Sequence, residues 1–274
     1  MKDRMGKLLY LFGKNPELYL GILISTIIIG IILIGALISP YDPDAMDAAN
    51  KFADPSWKHP LGCDNFGRDL FSRLAVGGAT TLFVAFGTVI IGVVAGTVIG
   101  ALTGYYGGAV DEVLMRFNDA VLAFPSILLA LVFISVFGSG TWKVIVSLGI
   151  VFVPSFARIV RSEFMRCKGL DYVRSARLMG AKDARIMFVH ILPNTIPVVL
   201  SSTVIGFNNA VLAEASMSFL GIGVQPPQSS LGRMLSDAQA FLFSEPSYAI
   251  CTGLTIALIV LGFSLIGDGL KKNA

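Results

Sequence analysis

The sequence predicts an all-α, polytopic membrane protein with six transmembrane helices and an amphipathic cytoplasmic helix between the fourth and the fifth. Three observations predict it. The 274 residues are 54% hydrophobic and 14% charged, with a mean hydropathy of +0.75, whereas soluble domains carry roughly a quarter charged residues. Apolar runs without ionisable side chains recur along the chain, each long enough to cross a hydrocarbon core of ~30 Å as helix. Between the runs the charge is segregated: Arg158 to Arg185 holds eight Lys or Arg against three acids, while Pro40 to Arg73 holds six Asp and four basic residues. A single soluble core is excluded, and the net charge of +3 matters less than where the charges lie.

The first run, Leu18 to Ile38, is longer than the apolar region of a signal peptide. It leads into Ser39, Pro40 and Tyr41 rather than a small-residue cleavage site, so it reads as a retained span. Lys2, Arg4, Lys7 and Lys14 precede it, which puts the amino terminus in the cytoplasm and the 40–73 loop outside, by the excess of basic residues on the cytoplasmic side. The second run, about 76–104, repeats Gly92, Gly96, Gly100 and Gly104 at every fourth position. That spacing lays four positions without side chains along one helical stripe and predicts a central helix packed closely on another. The third and fourth spans are expected at about 118–138 and 142–160, with Asp119 neutralised by Arg116 one turn away. The fifth and sixth follow at about 190–213 and 247–267, and Lys271 and Lys272 mark a second cytoplasmic end. Outside the membrane, about 214–246 contains Pro226 and Pro227, which cannot continue a helix, and Ser229 or Ser230, which can cap a short amphipathic one reaching about Phe241. The chain divides into a tail, first span and outer loop (1–75) and a five-span core (76–274), the latter with a cytoplasmic loop at about 161–190.

That loop carries the most informative pattern. At 100° per residue, Tyr172, Val173, Ala176, Met179 and Gly180 share one arc, with Arg174, Ser175 and Arg177 facing away and Leu178 turned outward among them. Gly180 suits a left-handed helix end, and Asp183 can cap a second helix running back toward the membrane until Pro193. A basic amphipathic helix can lie on anionic lipid or dock in the groove of a soluble partner. An outward Leu178 rimmed by Arg174 and Arg177 favours docking, and nothing nearby resembles a nucleic-acid recognition module.

Chemistry within the chain is sparse. Cys63, Cys167 and Cys251 are isolated and the two histidines are His59 and His190, so neither a disulfide framework nor a metal site is expected. His59, Cys63 and Asp64 lie close in sequence, but the intervening Pro60-Leu61-Gly62 opposes a continuous helix that would present them together. No segment matches the phosphate-cradling G-x-x-x-x-G-K-[ST] pattern, and no nucleophile with base and orienting group can be assembled. Polar residues in or near the spans are functional candidates. Asn208 and Asn209 suit either interhelical hydrogen bonding or a polar path. Glu214, at the outer end of span five, suits a partner contact, a salt bridge or solvation.

Four separated segments then carry a resemblance. Ala176, Gly180 and the distal Ile191-Leu192-Pro193 resemble the cytoplasmic signature of bacterial ABC importer permeases. "HPLGCDNFGRDLFSRL" (59–74), "AFPS" (123–126) and "LAEASMSFLGIGVQPP" (212–227) resemble the dipeptide, oligopeptide and nickel branch of that family. The resemblance spans about residues 10–270. It implies a permease that works with a second, related permease, two cytoplasmic ATPase subunits and an extracytoplasmic solute-binding protein, within the bacterial inner membrane. ATP and magnesium would be held by the partner subunits, with no cofactor on this chain. Tyr172, Arg174, Ser175, Ala176, Arg177, Leu178 and Gly180 would form the ATPase-coupling element. Asn208 and Asn209 would line the path, and Asp64, Arg68 and Glu214 would meet the binding protein. Peptides are the expected solute and nickel or a metal chelate the second. Where the family often has Glu-Ala, this chain has Arg174 and Ser175, which changes the charge on the docking surface, and its tail lacks the usual Asp-Pro-Arg continuation. A stand-alone secondary transporter or channel is the alternative, opposed by the absence of an internal repeat.

Overall fold

The computed structural model describes residues 15–39 and 41–272; the basic residues Lys2, Arg4, Lys7 and Lys14 lie outside them. The described chain is helical, with one isolated bridge between Cys63 and Asp69. Among the described residues, five helices are long and apolar enough to cross a membrane: α1 (Pro16–Ile38), α2 (Leu70–Tyr106), α5 (Thr141–Lys168), α7 (Asp183–Phe219) and α9 (Pro246–Lys271). Shorter helices are α3 (Gly108–Leu122), α4 (Ser126–Phe137), α6 (Asp171–Leu178) and α8 (Leu231–Ala238).

The expected third span, a single helix over about 118–138, is corrected: α3 and α4 meet at 94°. Pro125 lacks an N–H and biases Phe124 away from helical geometry, so the chain turns there. The charges of α3 explain its placement. Asp111 bonds Arg161 bidentately at 2.5 Å and Asp119 bonds Arg158 at 2.8 Å. The two acids are separated by about 12 Å of helix and the two arginines by about 4.5 Å, so α3 crosses α5 instead of running alongside it. Asp119 pairs with Arg158 and not with the expected Arg116.

α2 begins earlier than expected because Asp69 caps it, accepting from the Ser72 N–H at 2.8 Å. Its glycine stripe lies against α5. A Cβ at Gly96 would stand 2.6 Å from the Phe156 Cβ, at Gly100 2.5 Å from the Ala157 carbonyl, and at Gly104 2.6 Å from the Arg161 carbonyl; at Gly92 the nearest atom, the Phe152 Cβ, is at 3.0 Å. Helix backbones therefore touch along three turns. α1 and α9 make a second close crossing, where Gly21 approaches the Gly262 carbonyl and Gly269 approaches Leu18. Asn15 donates to the Gly269 carbonyl at 2.8 Å and Lys272 pairs with Glu17 at 2.7 Å. Both ends of the described chain thus lie at one end of the bundle.

α7 does not stop at Pro193. Residues Ile186–Ile191 form a π-helical stretch, a widened turn that tolerates disrupted bonding, and Pro193 falls in the first turn of the α-helical part, where its missing donor costs little. Asn194 donates its side-chain amide to the His190 carbonyl at 2.7 Å. At the opposite end, Ser230 caps α8 by accepting from the Arg233 N–H, and the helix continues as a 3₁₀ turn to Phe241, as expected from the sequence.

Candidate functional site: the protruding helix and the bundle cavity

α6 hangs from the end of α5. Val173 and Ala176 are buried, packed with Phe164, Cys167, Ile186 and Met187 of α5 and α7, because they share the inner face of a two-turn helix. Leu178 is 89% exposed and Met179 81% exposed. Met179 corrects its expected place on the inner arc: α6 ends at Leu178, so the helical period no longer applies at the next residue. Gly180 takes φ +81°, and the Ala181 N–H reaches the Ala176 carbonyl at 3.1 Å, closing the helix by the left-handed turn that favours glycine. The outcome is an apolar knob of two residues, where the sequence pointed to one. Tyr172, expected on the inner arc, lies at its edge in the first turn and is exposed, as are Arg174 and Ser175; Arg174 has Asp171 at 3.6 Å.

Arg177 departs from the expected outward rim. It is exposed, yet it donates to the Tyr105 hydroxyl at 3.1 Å, and that hydroxyl donates to Asp183 Oδ1 at 2.5 Å. Lys168 bonds the Tyr105 carbonyl. Asp183 thus joins the ends of α2, α6 and α7 through Tyr105; its side chain does not cap the helix it begins. The sequence held no periodic signal for Tyr105, which the fold brings from 72 residues away.

A cavity of about 400 Å³ lies between the α3–α4 break, α5 and α7. Its walls are mostly apolar, with hydroxyls from Ser126, Ser155, Ser202 and Ser216 and the amide of Asn209. Asn208 and Asn209 part company: Asn209 lines the cavity, while Asn208 is buried with its Oδ1 unpartnered. Phe124, 60% exposed, stands among the lining residues where the chain bends.

The remaining candidates are corrected. Asp64 and Arg68 do not form an exposed contact. They are buried and paired at 2.7 Å, with Asp64 also accepting the Phe66 and Arg68 N–H groups. Glu214 has no exposed surface, so neither solvation nor a surface contact describes it. Its Oε1 accepts from the Ser218 hydroxyl at 2.6 Å.

A bundle of membrane-length helices with a broken pass, a hydroxyl-bearing cavity and a protruding apolar-tipped helix defines a multi-pass membrane protein. Residues 96–273 match the family described as "Binding-protein-dependent transport system inner membrane component", and the chain belongs to that family. It is 37% identical to the dipeptide transport system permease protein DppC of Alkalihalophilus pseudofirmus, over 94% of this chain and 85% of that one. It is 40% identical to the glutathione transport system permease protein GsiD of Pectobacterium atrosepticum, over 85% and 77% respectively. It is 34% identical to DppC of Haemophilus influenzae, over 96% and 91%. Among solved structures, the inward-facing MetNI methionine ABC transporter superposes with a TM-score of 0.59 at 18% identity, covering 73% of this chain and 95% of that one. An amino acid ABC transporter superposes at 0.57 and 20% identity, covering 74% and 94%. These two similarities show the fold. The chain is the membrane-spanning permease component of an ABC importer, and a stand-alone transporter or channel is set aside.

Proposed function

We propose that the chain imports di- or oligopeptides, forming the path together with a second, related permease while two separate ATPase subunits bind ATP and magnesium. The relatives named for dipeptide and glutathione transport support a peptide substrate; no observation favours nickel or a metal chelate. The amino and carboxyl ends and α6 face the cytoplasm, and the loop 40–73 and segment 214–246 face the binding protein. The segregated charges and the meeting of Asn15 with Gly269 support this orientation. The proposed division at residue 75/76 falls within the first turns of α2, which starts at Leu70, so the outer loop and the five-span core share that helix.

The observation that carries the coupling role is the apolar knob of Leu178 and Met179, which buries nothing within the chain itself. Docked in an ATPase groove, it receives the motion of ATP-driven closure. Tyr105 and Asp183 then pass that motion to α2 and α7, a rigid-body shift between two packed states of the bundle. Gly180 ends the helix, Ala176 seats it, Tyr172, Arg174 and Ser175 shape its rim, and Arg177 ties it to Tyr105. Asn209, on the cavity wall, is the path residue of the asparagine pair, and Asn208 a packing residue.

Leu178→Asp tests the reading in vesicles reconstituted with ATPase and binding protein. Truncating a central anchor commonly costs ~2 kcal/mol or more of binding, so uptake falls and the ATPase dissociates or runs uncoupled, with membrane insertion intact. Wild-type coupling in this variant returns α6 to a lipid-surface role.

A further inference from the structure

Glu214 lies on α7 five residues before its end, fully buried and surrounded by hydroxyls. Ser218, one turn on, donates to Oε1 at 2.6 Å. The hydroxyls of Thr81 on α2 and Ser230 at the start of α8 face the same carboxyl, whose Oε2 has no partner at bonding distance. Each of these three hydroxyls also accepts a backbone N–H from the segment that follows α7. Val224 donates to Ser218 Oγ at 3.0 Å, Leu231 to Thr81 Oγ1 at 3.1 Å, and Arg233 to Ser230 Oγ at 3.3 Å. A hydroxyl has one hydrogen to give. With a lone pair committed to the segment's backbone, that hydrogen is free to turn to the carboxyl.

The segment has no slack over this cluster. A Cβ on Gly223 would fall 2.1 Å from Ser218 Oγ, and one on Gly232 would fall 2.2 Å from the Ala215 carbonyl. The same segment supplies Pro226, Pro227, Gln228 and Arg233 to a cavity of about 600 Å³ at that end of the bundle, shared with the charged side chains of Asp44, Arg68 and Arg73. At its other end α7 begins at Asp183, bonded to Tyr105 beside α6. The intervening helix, about 45 Å long, connects the two ends of the bundle.

We propose that Glu214 is a positioning residue that locks the segment from Val224 to Arg233 to α7, so that this outer segment moves with the helix whose base sits beside α6. The proposal rests on the importer reading for its role in transport, but the lock itself belongs to the chain alone. Hydrogen bonding by the carboxyl oxygens is what matters, so Glu214→Gln, which keeps the shape and an acceptor, preserves the lock. Glu214→Ala leaves the buried Ser218 hydroxyl without its acceptor, removes the carboxyl that the Thr81 and Ser230 hydroxyls face, and frees the segment.

Two readouts separate the lock from the transport role. Val224 is fully buried. A Val224→Cys reporter, in a chain whose three native cysteines are alanine, reacts with maleimide only when the segment lifts. In the purified chain in lipid nanodiscs, Glu214→Ala raises the labelling rate roughly tenfold or more, the population change expected when buried hydroxyls lose a partner. Glu214→Gln stays within about threefold of the parent, and Ser218→Ala, which removes both the bond to Glu214 and the acceptor of the residue 224 N–H, also labels faster than the parent. In the reconstituted complex, Glu214→Ala lowers uptake per ATP hydrolysed, whereas a loss of folding lowers both together. Unchanged labelling at position 224 in Glu214→Ala and Ser218→Ala overturns the lock even if the importer reading holds. Labelling in Glu214→Gln as fast as in Glu214→Ala overturns it too, because the charge and not the hydrogen bonds would then hold the segment. Faster labelling with uptake per ATP unchanged keeps the lock and removes its part in transport.

Discussion

Asp64 shows how a few polar atoms can hold a lobe that has almost no regular structure. Its carboxylate accepts the Phe66 and Arg68 N–H groups at 2.8 and 3.0 Å and the Arg68 side chain at 2.7 Å. Arg73, from the first turn of α2, approaches it at 3.5 Å and bonds Asp44 and the Pro43 carbonyl at 3.2 Å each. His59 closes the other side, bonded to Asp69 at 2.9 Å and packed on Tyr41. A buried carboxylate that loses its cation is expensive, commonly by 3 kcal/mol or more. Arg68→Ala is therefore expected to destabilise the protein by ~3 kcal/mol, less whatever Arg73 recovers by moving closer. The Asp64→Asn, Arg68→Met double variant should cost less than that single change. Thermal unfolding of the detergent-solubilised chain checks both, and a single variant as stable as the parent would show that the pair is not stabilising.

At the scale of elements, the α2–α5 crossing determines where everything else can sit. Gly96 and Gly100 have α5 backbone or Cβ atoms 2.5 to 2.9 Å from where a Cβ would stand, so no rotamer can accommodate a side chain. Gly96→Leu and Gly100→Leu are each expected to cost at least the ~1 to 3 kcal/mol typical of overpacking and to reduce the yield of folded protein, read by size exclusion. Leu at Gly253, where nothing lies within 4 Å of an added Cβ, is the control and should fold normally. The four-residue period of the stripe was legible in the sequence; its partner was not, because a stripe of small residues accepts any close helix. The α3–α4 bend was missed for a related reason. Pro125 marks the place of the break, but apolar composition continues through it, and the direction α3 takes across the bundle depends on its pairing with Arg158 and Arg161.

For the whole molecule, the proposed orientation puts both ends and α6 in the cytoplasm and the lobe before α2 outside. The native cysteines are poor reporters of it. Cys63 and Cys167 are buried, and burial, reinforced by Asp69, Asp64 and Asp47, pushes the Cys63 thiol above its ordinary range, leaving less reactive thiolate at neutral pH. Trp57 is fully exposed on the lobe before α2, and Met179 is 81% exposed beyond α6. With an impermeant maleimide, Trp57→Cys is expected to label in intact cells and Met179→Cys only after permeabilisation. The reverse pattern inverts the proposed orientation, and labelling of both from outside breaks it.

Composition and local period determined that this chain is a helical membrane protein, where five of its spans lie to within several residues, and that α6 is amphipathic with Leu178 outward. Those features follow from the cost of burying charge in lipid and from the repeat of the helix itself, both of which act on residues close in sequence. Four separated motifs carried the family. Tertiary structure decided what depends on distant partners. It turned Arg177 back to Tyr105, set Met179 beside Leu178 and paired Asp119 with Arg158. It also enclosed Glu214 among hydroxyls that α2 and α8 bring to it. A polar side chain in a low-dielectric interior takes whichever partner the fold supplies, and a single sequence read along its length cannot show which one arrives.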